Sequence, residues 1–222
     1  MSKGKRVRAQ RSAPPPPVGK RQASDRRMWI GVAALVALVI VGVAVTAIRS
    51  SGGSGKRVHV DFAAMTGLQD GPPPWNNGAG ELQNRLTSIQ LNPLPQESLA
   101  FHIHQHLDVY LGGEHVTVPA LIGINGGSFI TEIHTHRPDG VIHVESAENR
   151  PYTLGQLFGE WSVRVNARCL GRYCGRFHWW VDGKPQTGNP ADLVLRAHQE
   201  IVVASGKLPK RVPPSYAFPA GE

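Results

Sequence analysis

The chain has 222 residues, with 24 Lys/Arg against 16 Asp/Glu and a net charge of +8, which gives room for one ordinary domain plus appendages. Nine of the cations and one acid lie in residues 1–27, so the remainder carries fifteen of each sign and is neutral. The excess sits on a Pro-rich, apolar-poor tail that cannot bury enough surface to fold, and no basic domain face is left to suggest nucleic acid.

Met28 to Ile48, MWIGVAALVALVIVGVAVTAI, is uncharged and matches the run of about 20 apolar residues a helix needs to cross a bilayer core. The cations precede it, so the positive-inside rule predicts a cytoplasmic tail, one transmembrane helix and an extracytoplasmic C-terminal domain. A cleaved signal peptide ending near Val45-Thr46-Ala47 is the rival reading. Signal h-regions are shorter, about 7 to 15 residues, which favours an anchor. Ser24-Asp25-Arg26-Arg27 is only a faint twin-arginine echo. Ser50 to Gly55 reads as a flexible spacer.

Residues 49–100 form a linker and lead-in, punctuated by Pro72-Pro73-Pro74, Pro93 and Pro95. Leu82, Leu86 and Ile89 predict one helix over Glu81 to Leu91, stopped by Asn92-Pro93. The lead-in is expected to pack on the domain at 101–205.

That domain opens with the most informative stretch, Phe101 to Glu145, which holds seven of the ten histidines. His102, His104 and His106 alternate with Phe101, Ile103, Gln105 and Leu107, so a strand would show one mainly apolar face and one row of imidazoles ending in Asp108. Phe101–Leu111 and His115–Pro119 should pair across Gly112-Gly113 as a tight hairpin. A second hairpin, Phe129–His136 with Val141–Ser146, spans Arg137-Pro138-Asp139-Gly140. Proline cannot take the positive φ of a primed turn, so a four-residue loop on a type I turn is expected. That loop sets Ile133 opposite Val144, His134 opposite His143, and His136 opposite Val141. A three-residue loop with a bulge would turn His143 to the other face.

Thr153 and Gln156 predict a capping box, and Leu154, Leu157, Phe158 and Trp161 an apolar helical stripe. Strands at Phe177–Val181 and Glu200–Ala204 follow, with Leu193 to Leu195 between them, and the tail from Gly206 is expected to be loose. Cys169 and Cys174, in RCLGRYCG, read as a disulfide in an oxidising compartment. A soft metal-ligand pair is the weaker reading.

The order of hairpin, helix opening with Thr-Leu, VDGK strand and LVLRAHQEIVV strand resembles the β-grasp fold over about Val141 to Ala204. Sulfur-carrier members of that fold need a Gly-Gly carboxylate terminus. Here the chain ends Ala220-Gly221-Glu222, and Ala197-His198-Gln199 replaces their acidic turn, so that activity is not carried over. Phe101 to Ser205 also resembles an uncharacterised family of bacterial single-pass membrane-anchored proteins with HIHQHLD, IHTH-DG-VIHVES and YTLGQLF segments. The resulting fold expectation is α+β, a β-grasp-like mixed sheet with one packed helix, preceded by a single transmembrane helix.

Neutral imidazole is the commonest biological metal ligand, and i, i+2 spacing on a strand lets two rings converge on one ion. His134, His136 and His143 with Glu145 form one candidate copper or zinc site. The row His102, His104 and His106 forms another, or joins it if the strands are neighbours. The bland competitor is a solvated sheet face whose histidines tie strands together. His59, His115, His178 and His198 are read as structural. The function expected is metal binding for sensing, storage or delivery by a domain tethered through Met28 to Ile48. Two alternatives stand beside it: a module binding a partner protein or polysaccharide, and a metal-dependent hydrolase or oxidase with Glu132 or Glu145 as base. No HExxH, CxxC, GxSxG or phosphate-loop motif narrows the choice.

Overall fold

The computed structural model describes residues 55–221. The basic tail, the 28–48 segment and nearly all of the spacer lie outside the described residues. Among the described residues no helix is long and apolar enough to cross a membrane. Over the described residues the architecture is α+β: two short α-helices and a mixed seven-stranded sheet, with two small two-stranded sheets.

The strand β1 (Phe101–Leu111) is central. Gly112 and Gly113 both take positive φ, 63° and 94°, and close a two-residue turn to β2 (Glu114–Val116), with Leu111 opposite Glu114. The chain then makes a small sheet from β3 (Ile124–Asn125) and β4 (Phe129–Ile130). It enters the main sheet as β5 (Ile133–His134) and returns as β6 (Val141–Ser146). The expected continuous strand from Phe129 to His136 is therefore broken at Thr131 and Glu132. The Thr131 amide bonds Gly123 O at 3.0 Å, and its hydroxyl lies 2.7 Å from Ile133 O. These local bonds replace a ladder and divert the backbone. The register across the break is nonetheless the expected one, Ile133 opposite Val144 and His134 opposite His143.

Two more strands complete the sheet core, β9 (Phe177–Val181) and β11 (Glu200–Ser205). The order is β10 (Lys184–Pro185), β9, β11, β1, β6, β5, with β2 on the far half of β1. Every neighbouring pair is antiparallel except β1 with β11. A hairpin of β7 (Cys169–Leu170) and β8 (Tyr173–Cys174) is closed by the Cys169–Cys174 disulfide. Leu193 to Leu195 makes no strand of its own. It follows a 3-10 turn at Pro190–Asp192, and Val194 forms a single bridge to Thr153.

The helix α2 (Leu154–Trp161) starts at the expected capping box. Thr153 N donates to Gln156 Oε1 at 2.9 Å, and Gln156 N donates to Thr153 Oγ1 at 3.4 Å. All eight of its residues are buried, not just the apolar stripe. The lead-in accounts for this: α1 (Leu82–Ile89) packs on α2, and Val58, Val60, Phe62 and Trp75 join the same core. Gly155 and Gly159 allow the close approach, because a Cβ on them would lie 2.7 Å from Ala191 O and 2.6 Å from Ile89 Cγ2. Arg85, itself buried, donates Nε to Gly159 O at 2.9 Å and Nη2 to Glu160 O at 3.0 Å, a cation on the carbonyl end of the helix.

Gln105 breaks the apolar phase of β1. It is fully buried opposite Ile142, and neither amide atom has a partner. An unpaired buried amide costs about 1–3 kcal/mol. Gln105→Leu is accordingly expected to raise unfolding free energy by about 1 kcal/mol in denaturant titration.

Candidate metal centre

Strand β6 pairs with β1 on one side and β5 on the other, which sets His104 opposite His143 and His143 opposite His134. Residues directly opposite in an antiparallel pair share a face, so three strands bring one imidazole row together. His102 lies opposite Glu145 in the same ladder. The loop after β5 adds His136, whose ring centroid is 4.8 Å from that of His134 and 4.6 Å from that of His143.

The face is not wet. His134 is 0 % exposed, Glu145 3 %, His104 5 % and His143 8 %. His102, His136 and Glu97 stand at its edge, with side chains 33 %, 38 % and 44 % exposed.

Four donor atoms close a ring. His102 Nε2 is 3.0 Å from His104 Nε2, which is 3.1 Å from His143 Nδ1. His143 Nδ1 is 3.3 Å from Glu145 Oε1, which returns to His102 Nε2 at 3.2 Å. Ligands held about 2.0–2.1 Å from a tetrahedral ion stand on the order of 3.3 Å apart. The four edges of the ring therefore match the ligand spacing of such an ion. Hydrogen bonding explains it less well, since His104 Nε2 offers one proton or one lone pair and faces two nitrogens.

His134 carries the clearest signal. Its Nδ1 lies 3.0 Å from the carbonyl oxygen of Thr131. A carbonyl cannot donate, so Nδ1 holds the proton and Nε2 is the lone-pair nitrogen. That Nε2 is buried without a hydrogen-bond partner. It sits 3.9 Å from Glu145 Oε1 and 4.0 Å from Glu97 Oε1. Orientation of a ring by an Nδ1–H to carbonyl bond is the usual outer support of a metal-ligating histidine.

The electrostatics agree. Burial first, and then the neighbouring imidazoles, push His134 and His143 down to about 3, so both rings are neutral at physiological pH. Burial and then Glu97 push Glu145 up to about 7. Neutral nitrogens around a carboxyl group short of positive charge make a cation-seeking site.

Six expected residues are thus gathered: His102, His104, His134, His136, His143 and Glu145. His106 is not among them. Its Nδ1 lies 2.9 Å from Glu200 Oε2 and its Nε2 2.9 Å from Asp139 O. Burial pulls its pKa down, but the Glu200 carboxylate outweighs that and holds it above the ordinary value. Its ring stacks on Tyr216 at 3.8 Å, and Phe218 lies 4.9 Å from His198. The tail expected to be loose therefore returns over these two histidines. With Asp108, His106 and Glu200 form a separate group of three donors.

Glu132, a candidate base, is also placed elsewhere. Its carboxylate accepts from Asn92 N at 2.9 Å and Asn92 Nδ2 at 2.7 Å, with Arg150 at 3.7 Å. The other histidines have local partners: His59 lies 2.8 Å from Asp192, His115 lies 3.0 Å from Asp108, and His178 stacks near Trp180.

Glu97 is the member that sequence pattern missed. Its Oε1 lies 3.3 Å from His136 Nε2. It comes from the irregular lead-in, where the one available sign was that it is the single acid between Glu81 and Asp108. No protein-family model, curated protein or solved structure matches the chain.

Proposed function

We propose that this protein binds a divalent transition metal, zinc or copper(II), at the His/Glu cluster, and does so outside the membrane to sense, store or deliver the ion. The observation that carries this reading is His134. A buried neutral ring has its proton fixed on a backbone carbonyl, and its lone pair is turned without a partner into a cluster of nitrogens and carboxylates. Leaving such an atom unpaired costs about 1–3 kcal/mol, which an ion would offset.

The donors are nitrogen and oxygen only. Both cysteines are in the disulfide, so no thiolate is available to favour Cu(I). The same disulfide supports an oxidising compartment, in keeping with an anchor at Met28 to Ile48. A β-grasp reading of the domain is supported by the first strand lying parallel to the last, with α2 between β6 and β9 in the chain.

Full-length protein purified without a polyhistidine tag is expected to contain stoichiometric metal by elemental analysis, and to take it up again after chelation. His134→Ala with His136→Ala should lower the metal content. Protein that is metal-free and binds neither Zn(II) nor Cu(II) in titration would sink the reading.

A further inference from the structure

The donor set is larger than one ion can use. Five imidazoles and two carboxylates converge, whereas zinc or copper(II) in a protein takes about four or five ligands. The donors also fall into two groups of four that share His143 and Glu145, with the atoms of each group within 4.8 Å of one another. One group is the closed ring of His102, His104, His143 and Glu145, with edges of 3.0 to 3.3 Å. The other group adds His134 and His136, joined by Glu97, whose Oε1 is 4.0 Å from His134 Nε2 and 3.3 Å from His136 Nε2.

Glu145 stands between them. Its Oε1 belongs to the ring, and its buried carboxyl is also paired with Glu97 of the second group. The unpartnered buried nitrogen of the cluster is His134 Nε2, 3.9 Å from Glu145 Oε1. An unpartnered imidazole nitrogen, with the Glu97 carboxylate 4.0 Å from it, is what remains when the closed ring is filled. A syn-syn carboxylate that gives one oxygen to each of two ions is the usual bridge in paired sites, where the ions lie about 3.5–4 Å apart.

Resting on the metal-binding reading above, we infer that the cluster is a two-ion centre. His102, His104 and His143 hold one divalent ion, His134, His136 and Glu97 hold the second, and the Glu145 carboxylate bridges them. The class of ligand is a pair of borderline divalent cations, with zinc and copper(II) suited to the nitrogen-rich half.

The test is stoichiometry on the full chain, untagged, chelator-stripped and equilibrated with Zn(II) alone. Elemental analysis after gel filtration is expected to give two ions per chain. Loading with Cu(II) should give an electron paramagnetic resonance signal weakened or split by coupling between neighbouring ions. His102→Asn should leave one ion, and Glu97→Gln with His136→Asn should also leave one. These positions lie at the exposed edge, so folding is not at risk, and circular dichroism checks it. A single ion in the unaltered protein, or an uncoupled Cu(II) signal, overturns the two-ion centre and leaves metal binding standing. Loss of both ions from either edge variant overturns the division into two halves. No ion at all overturns both inferences.

Discussion

Stripped of metal, the domain is expected to lose stability steeply as the solution is acidified below pH 6.5. His134 and His143 stay neutral in the folded protein down to about 3, whereas in the unfolded chain they take up a proton near the ordinary histidine value. A folded pKa below the unfolded one means stability is fully present above 6.5 and is lost as pH falls toward 3, at about 1.4 kcal/mol per pH unit for each ring. Glu145 runs the other way. Raised to about 7, it keeps its proton in the folded state while the unfolded carboxyl ionises above about 4.5. Its contribution is therefore complete below that value and lost as pH rises through 7. Between pH 6.5 and 4.5 the two rings lose more than the carboxyl gains, for a net loss of about 3 kcal/mol. Below 4.5 only the rings count and the slope doubles. Folded domains have about 5–15 kcal/mol in hand, so a loss of about 7 kcal/mol by pH 3 removes a large share of it. Urea titrations in chelator at pH 7, 6, 5 and 4 measure this, and a midpoint that does not move from pH 7 to 5 would refute the buried neutral pair.

The two features behind that result differed in how far the sequence could show them. The His134–His143 pairing was legible because strand alternation and one proline together specify the loop. Pro138 excludes a primed two-residue turn, a four-residue loop favours one register over that of a three-residue loop with a bulge, and β5 and β6 pair in it, although His136 and Val141 do not form the expected closing pair. The burial of the pair was not legible. Polar alternation reads as a wet face, and what closes this one comes from far away in the chain: β1 with His102 and His104, and Glu97 from a segment with no period at all. His106 shows the same limit from the other side. It belongs to the HIHQH row by spacing, yet Glu200, ninety-four residues on, holds it in a different environment. Side-chain periodicity assigns a face but carries no information on which distant strand lies alongside. Gln105 and the break at Thr131 went the same way, because each depends on partners, or their absence, that local pattern does not encode.

His134→Leu separates a ligand from a structural histidine through the response to zinc, and tests the burial of the neutral ring through the response to pH. The leucine is close in volume and fills a site that is 0 % exposed. It forfeits the bond from Nδ1 to Thr131 O, a net loss of about 1 kcal/mol that does not vary with pH. It also removes an unpaired buried nitrogen and a ring that resists protonation. At pH 7.5 without metal the variant should therefore lie within about 1 kcal/mol of the parent. By pH 5 the parent has lost about 2 kcal/mol through this ring that the variant keeps, so the order of stabilities reverses. Zn(II) at pH 7.5 should tell the same story in reverse. The parent is stabilised by about 2.7 kcal/mol at a hundred times its dissociation constant. The variant, short of one ligand, should bind the ion on His134's side roughly 100-fold more weakly and show little of that gain. Were His134 only a buried strand tie, the reversal with pH would be the same but the zinc-induced shift in melting temperature would be untouched. A site held ready for an ion is expected to be a burden to the fold when it is empty, and this one residue allows both halves of that statement to be measured.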